Sequence, residues 1–90
     1  MIDRSDPALA ELGLAPGTKV RFRRGDAERW KDAVVVRRER DGSLGLRDAK
    51  GAARAIACER VEVQIPGPRG GQLWLPVTEW AARTEQLRLL

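Results

Sequence analysis

The stretch WKDAVVVRRERDGSLGLRD, residues 30–48, decides the fold of this chain. Within it, Asp41-Gly42 is the strongest turn signal in the sequence, because both residues tolerate the positive φ that a type I′ hairpin turn needs. The turn lies between two β-prone runs, residues 34–40 and 43–48, and the first run begins with three consecutive valines. The stretch therefore predicts two antiparallel strands joined by a tight hairpin, with a β-bulge near Asp32.

Alternating apolar residues and short turns extend this hairpin into a larger antiparallel sheet. Upstream, Val20 and Phe22 alternate with Lys19, Arg21 and Arg23, so we expect the two arginines in a row on the outer face. Downstream, a second hairpin turn, a fourth strand, a tight turn and a fifth strand are predicted at residues 49–51, 53–57, 58–60 and 61–65. Residues 17–65 therefore predict a small, closed, five-stranded sheet.

Residues 1–16 contain a predicted short helix ahead of the sheet. Asp6 is a suitable N-cap, Pro7 suits the first helical position, and Gly13 provides the left-handed stop. The helix is expected to lay Leu9 and Leu12 over one end of the sheet.

Residues 66–90 follow the sheet as a Gly/Pro connector and a C-terminal helix, with QLWLP, residues 72–76, as an additional short strand. The helix, predicted from Val77 to Leu89, is too short to persist alone in water and is therefore expected to pack on the sheet. Trp74 and Trp80 have apolar neighbours and are expected to staple it there. At 90 residues, the regions 1–16, 17–65 and 66–90 are expected to form one domain.

The rhythm of strands and turns resembles that of Tudor-type SH3-like barrels. The resemblance covers somewhat more than half of the chain and is carried by PGTKVRF (16–22), WKDAVV (30–35), DGSLGLRD (41–48) and Arg60-Val61. It implies a mainly β fold, a five-stranded SH3-like barrel with a short helix at each end, and such folds serve several unrelated functions. The whole chain also resembles short uncharacterised actinobacterial proteins, which implies a bacterial, cytoplasmic setting.

Tudor modules that read methylated lysine or arginine surround the cation with several aromatic rings. This sequence has no tyrosine. Trp30 corresponds to the first ring position of such a cage, but the strand end at the second position carries Arg47 and Asp48. A reader of methyl marks is therefore not expected. Two interpretations of Trp30 stay open, a half-buried ring that covers the end of the sheet and a platform for a ligand.

Catalytic and metal chemistry have few residues to use in this chain. There is no histidine to act as a general base, and Cys58 is the single cysteine. A thiolate–imidazole pair, an internal disulfide and a zinc site are thus excluded. GPRGG, residues 67–71, lacks the ending of a phosphate-binding loop. We expect no enzyme, no cofactor and no metal, and no stretch is apolar over the length that spans a membrane. The lone Cys58, with no apolar N-terminal run like a signal peptide, predicts a reducing cytoplasm.

Positive charge is concentrated in residues 19–54, which hold twelve Lys or Arg against six Asp or Glu. Such a surface attracts polyanions, although an ordinary solvated surface is an equally open interpretation. The first functional hypothesis is a noncatalytic binding module for an anionic partner such as RNA, DNA or the ribosome. The residues predicted to carry it are Arg21, Arg23, Trp30, Arg37, Arg38, Arg47 and Arg54.

The second functional hypothesis is a protein–protein interaction adapter or accessory subunit that uses the barrel loops and the C-terminal helix. Its candidate contact is the apolar C-terminus, residues 87–90, which reads Leu-Arg-Leu-Leu. The alternative for these leucines is that they complete the core.

Overall fold

The computed structural model describes residues 6–88 and shows a mainly β protein with two α-helices and one 3₁₀-helix. The helices are α1, Pro7–Ala10, and α2, Val77–Arg88, and the 3₁₀-helix spans Cys58–Arg60. The strands are β1, Lys19–Phe22; β2, Lys31–Arg38; β3, Leu44–Asp48; β4, Ala53–Ile56; β5, Val61–Pro66; and β6, Gln72–Pro76.

All six strands form one antiparallel sheet in the order β4-β3-β2-β1-β5-β6. Strands β1 to β4 form a meander, and the 3₁₀-helix then leads the chain back to place β5 beside β1. The predicted mainly β class is confirmed. Five strands were predicted in residues 17–65 and an additional short strand at residues 72–76. All six form, and the additional strand, β6, pairs with β5 along its length. In the described part of the chain the edge strands β4 and β6 do not pair with each other, so the sheet is unclosed.

The hairpin between β2 and β3 forms at the predicted place, but its turn is not type I′. The Glu39 N–H donates to the Ser43 carbonyl at 2.8 Å, and the Gly42 N–H donates to the Glu39 carbonyl at 3.0 Å. Gly42 has φ +92°, whereas no described residue other than glycine has a positive φ. Asp41 is thus outside the left-handed region, and its carboxylate accepts the Ser43 backbone N–H at 2.9 Å instead. A three-residue loop that ends in a left-handed glycine accounts for this geometry.

One face of the sheet, here called the inner face, carries the core, and the opposite face is the outer face. Side chains alternate between the two because successive residues of a strand point to opposite sides. The helices cover the core with Leu9 of α1 and Val77 of α2. The buried apolar residues are Leu9, Leu14, Val20, Phe22, Ala33, Val35, Leu44, Leu46, Ile56, Val61, Val63 and Val77.

A β-bulge lies in β2 at Val36, where Val35 pairs with Leu46 and Arg37 pairs with Gly45. The bulge predicted near Asp32 is wrong, because Asp32 lies in regular register opposite Arg21. The extra residue has a consequence for the surface. Without it, Arg37 would share the inward direction of Val35, and with it Arg37 lies on the outer face.

Both helices form as the sequence predicts. The Asp6 carboxylate accepts the N–H groups of Ala8 and Leu9 at 3.0 and 3.3 Å, which satisfies the first turn of α1. Gly13 follows with φ +71°. Trp80 of α2 packs against the core and donates from Nε1 to the Gly13 carbonyl at 2.9 Å. Trp80 therefore joins α2 to the core and to the turn that follows α1.

Candidate functional site

The outer face brings together three of the predicted site residues, Arg21, Arg23 and Trp30. Since Val20 and Phe22 of β1 are buried in the core, the side chains on either side of each point outward. Trp30 immediately precedes β2 and lies next to the end of β1, so the same face receives its indole.

Arg21 is held between two indoles and a carboxylate. Its guanidinium carbon lies 4.3 Å from the ring centroid of Trp30 and 4.6 Å from that of Trp74. Its Nε and Nη2 donate to Oε1 of Glu62, directly opposite on β5, at 2.8 and 2.5 Å. The side chains of Arg21 and Glu62 are 25% and 19% exposed. We call Arg21, Arg23, Trp30, Glu62 and Trp74 the Trp–Arg cluster, in which Glu62 balances the charge of Arg21.

Arg23 also stacks on Trp30, but its charge is less well balanced. Its guanidinium carbon lies 4.4 Å from the Trp30 ring centroid. Its Nη1 donates to the Asp26 carbonyl at 3.3 Å, and its Nη2 lies 4.0 Å from the Asp26 carboxylate, which is 90% exposed. A pair at this distance and exposure contributes little attraction. Arg23 therefore retains a cationic group that a ligand can reach.

Trp74 is a member of the site that the sequence analysis placed elsewhere. It was expected to staple the C-terminal helix, but it pairs with Gln64 on β5 and lies on the outer face over Arg21. The sequence of β6 alternates Leu73, Trp74 and Leu75, and this alternation could have indicated the direction of Trp74. In the structure Leu73 and Leu75 pair with the inward residues Ile65 and Val63. Trp74, between them, must then point the other way.

Two predicted residues, Arg38 and Arg54, lie apart from the Trp–Arg cluster. They pair in register with Leu44 and Leu46, so they belong to the inner-face side, at its margins. Arg38 Nη1 lies 3.8 Å from a carboxylate oxygen of Glu11 after α1. Arg54 Nε lies 3.1 Å from Oδ2 of Asp48. The structure therefore does not bring these two arginines to the predicted shared outer face.

Arg37 and Arg47 lie on the outer face, toward β4. A β-carbon built on Gly45 would lie 3.2 Å from Cγ of Arg37, which locates the Arg37 stem above that glycine. The Nε of Arg37 donates to Oε1 of Glu39 at 3.0 Å. Arg47 donates from Nη1 to the Gly51 carbonyl at 3.0 Å, and within residues 6–88 it has no acidic partner within 4.0 Å. Arg47 is thus the less neutralised of the two.

Lys19 is a further outer-face cation, which the prediction of site residues did not include. Val34 pairs with Lys19 on one side and with Arg47 on the other. These residues line a shallow groove of about 370 Å³ that also includes two acids, Asp32 and Asp48. Lys19, like Arg47, has no acidic partner within 4.0 Å in the described ranges. The alternation of β1 already indicated that Lys19 points outward, because the next residue, Val20, points inward.

The titration shifts in the described residues have structural causes. The backbone N–H of Ala52 is the largest of the contacts that lower the pKa of Asp48, and the Arg54 guanidinium adds to it. Burial raises the pKa of the Cys58 thiol, whose sulfur lies 3.4 Å from the Gly42 carbonyl. A thiol with a raised pKa is a poor nucleophile at neutral pH.

Residues 6–88 contain no group of three His, Cys, Asp or Glu side chains placed to hold a metal ion. No helix in this part of the chain is long and apolar enough to cross a membrane. The side chains of residues 87–90, on which the adapter hypothesis depends, lie outside the described part. Comparison with protein-family models, with curated proteins and with solved structures finds no match.

Proposed function

We propose that this chain is a noncatalytic binding module that holds a single-stranded nucleic acid, RNA or DNA, across the outer face of its sheet. The observation that supports the proposal is the stacking of Arg23 on Trp30, on the face that also carries Lys19 and Arg47. Single-strand binding surfaces combine aromatic rings, on which bases stack, with cations that follow the phosphates. This face offers both kinds of group.

The spacing of the three least neutralised cations suits a chain of phosphates. Lys19 and Arg47 are two strands apart, at a backbone separation of about 10 Å. Arg23 follows the end of β1, so the three cations form a bent line with Trp30 near one end. Because these contacts are with phosphates and ring faces, the expected binding depends on salt and is largely independent of sequence.

Arg21 has a supporting role in this proposal. Its Nε and Nη2 are engaged by Glu62 and its plane by two indoles, so it orients Trp30 for the ligand. The predicted residues Arg38 and Arg54 are assigned to ion pairs at the margins instead.

We also propose that β1 to β5 are an SH3-like barrel of the Tudor type. The meander of four strands, the 3₁₀ turn at Cys58–Arg60 and the return of β5 to β1 support this proposal. A cytoplasmic setting stays a prediction, for which the single cysteine, Cys58, is the support. A bacterial source stays a prediction from the resemblance alone.

Fluorescence anisotropy with a labelled twelve-residue oligo(U) or oligo(dT), measured over a salt series, tests the proposal. The triple variant Lys19→Gln, Arg23→Gln, Arg47→Gln should reduce the slope of log K against log salt by about 2, because each lost phosphate contact removes about 0.7. Trp30→Leu should weaken binding by roughly tenfold or more.

A matched triple variant provides the control. Arg37→Gln, Arg38→Gln and Arg54→Gln remove the same formal charge from positions that already have acidic partners. This variant should retain most of the binding. No binding by the unaltered protein at low salt, or an equal loss in the two triple variants, would reject the proposed interface.

A further inference from the structure

Within residues 6–88 no strand pairs with the outer side of β4 or of β6, and these two free edges differ. An unpaired edge strand offers backbone N–H and C=O groups to any extended chain, and natural proteins block such edges with proline, charge or a covering element. In β6, Pro76 ends the strand and α2 follows at once with Val77. In β4, the residues Ala53, Arg54 and Ala55 are all exposed.

The hydrogen-bond pattern shows which groups of β4 face the open edge. Asp48 N–H donates to the Ala52 carbonyl at 2.9 Å, which makes these two residues a bonded pair. Bonded pairs recur at every second residue of an antiparallel ladder. In the register of β3 and β4, Arg54 and Ile56 therefore bond to β3, while Ala53 and Ala55 direct their N–H and C=O groups away from it.

The side chains around the β4 edge leave its backbone accessible and give the surrounding surface a positive charge. Ala53 and Ala55 carry only methyl groups. Ala55 lines two grooves, of about 610 and 350 Å³, that flank the edge. The charged residues of the two grooves together are five arginines and two acids, Arg37, Arg38, Arg40, Arg47, Arg54, Glu39 and Asp41. Three of the arginines are ion-paired, so Arg40 and Arg47 are the groove arginines without an acidic partner within 4.0 Å among residues 6–88.

We propose that the β4 edge binds an acidic peptide in extended conformation, which adds to the sheet as a seventh strand. The backbone groups of Ala53 and Ala55 provide the pairing, and Arg40 and Arg47 of the two grooves select acidic side chains. Charge complementarity favours this occupant over a second copy of the chain, because two β4 edges brought together would oppose two cationic sets. The surface shares Arg47 with the proposed nucleic-acid interface but lies apart from the Trp–Arg cluster, and this inference does not depend on nucleic-acid binding.

The probe is a labelled nine-residue peptide of alternating Glu and Thr, titrated into the full chain by anisotropy. Saturation should slow amide hydrogen exchange at Ala53 and Ala55 by about tenfold or more, without a comparable change at Gln72 and Trp74. The same peptide N-methylated at alternate residues keeps its charge but loses its donors, and it should bind at least tenfold more weakly.

Two proline variants give the matched comparison. Ala55→Pro removes an edge-facing N–H and should weaken peptide binding at least tenfold, because proline is tolerated at such positions but cannot donate. Gln72→Pro does the same at the β6 edge and should bind normally. If Ala55→Pro does not fold, Ala55→Glu keeps the N–H, adds a repelling charge and should also bind at least tenfold more weakly. Oligo(U) binding should be unchanged in folded Ala55→Pro, which alters no charge.

Three outcomes would overturn the inference. The first is equal affinity for the plain and N-methylated peptides, which would indicate charge attraction alone. The second is undiminished binding by folded Ala55→Pro or Ala55→Glu. The third is concentration-dependent dimerisation that Ala55→Pro abolishes and that the peptide does not compete with, which would assign the edge to a second copy.

Discussion

Replacing Arg21 with methionine tests whether the Trp–Arg cluster is a structural clasp. Methionine keeps much of the aliphatic stem of Arg21 but removes the guanidinium, which contacts Trp30 and Trp74 at 4.3 and 4.6 Å from their ring centroids. It also removes both donors to Glu62. The substitution does not require the backbone to move, so it tests the interactions of the guanidinium alone.

The expected loss follows from those contacts. Each half-buried cation–π contact contributes about 0.5–1 kcal/mol, and a partly exposed ion pair adds up to about 1 kcal/mol. Arg21→Met should therefore lower the free energy of unfolding by about 1–3 kcal/mol. For a domain of this size that corresponds to a fall in Tm of roughly 5–20 °C.

The assay is urea unfolding followed by far-UV circular dichroism, because tryptophan fluorescence would itself change. A double-mutant cycle with Trp74→Leu should give a coupling free energy of about 0.5–1 kcal/mol between Arg21 and Trp74. Arg24→Met is the control, since Arg24 is exposed and has no ion pair among the described residues; it should cost less than about 0.5 kcal/mol. A coupling near zero, or equal losses from Arg21→Met and Arg24→Met, would refute the assignment of Trp74 to the outer face.

Gly13→Ala should destabilise the protein by about 1–3 kcal/mol in urea, because Gly13 has φ +71° and the added methyl would lie 2.7 Å from Nε1 of Trp80; an unchanged midpoint would contradict the docking of α2. The pKa of Asp48 is lowered in the folded chain, so its ionised carboxylate stabilises the fold at pH values above the unfolded pKa of about 3.9. This stabilisation is lost as the pH falls through the folded pKa. As the pH is lowered from about 5 to about 3, Tm should therefore fall more steeply in the unaltered protein than in Asp48→Asn. Parallel plots of Tm against pH for the two proteins would contradict this contribution of Asp48. Burial raises the pKa of the Cys58 thiol, so a disulfide reagent at pH of about 8 should modify it more slowly in the folded chain than in urea, and equal rates would show an accessible thiolate.

The parts of the fold that were predictable are those encoded by neighbouring residues. The alternation of Val20 and Phe22 with cations placed β1 correctly, and Asp6 with Pro7 marked the start of α1. Each depends on the backbone conformation of three to five residues, so a local pattern is sufficient.

The errors arose where competing local geometries have similar signals. Asp41-Gly42 suits both a type I′ turn and a loop that ends in a left-handed glycine, and the Asp41 contact with Ser43 accompanies the second. The bulge was displaced from Asp32 to Val36 because valine at 34, 35 and 36 gives no alternation of polarity there. Neither choice is visible in residue type alone.

The amino-acid sequence by itself determined the mainly β class, the strand positions, the caps and the outward direction of Arg21 and Arg23. Only the tertiary structure decided which cations are neutralised and which aromatic rings they meet. Glu62 is 41 residues from Arg21, and Gly13 is 67 residues from Trp80. Strand alternation is a local property with a period of two, whereas ion pairs and ring contacts depend on which distant strands become neighbours. For this reason the predicted seven-residue surface separated into a Trp–Arg cluster, two outer-face arginines and two ion pairs at the sheet margins.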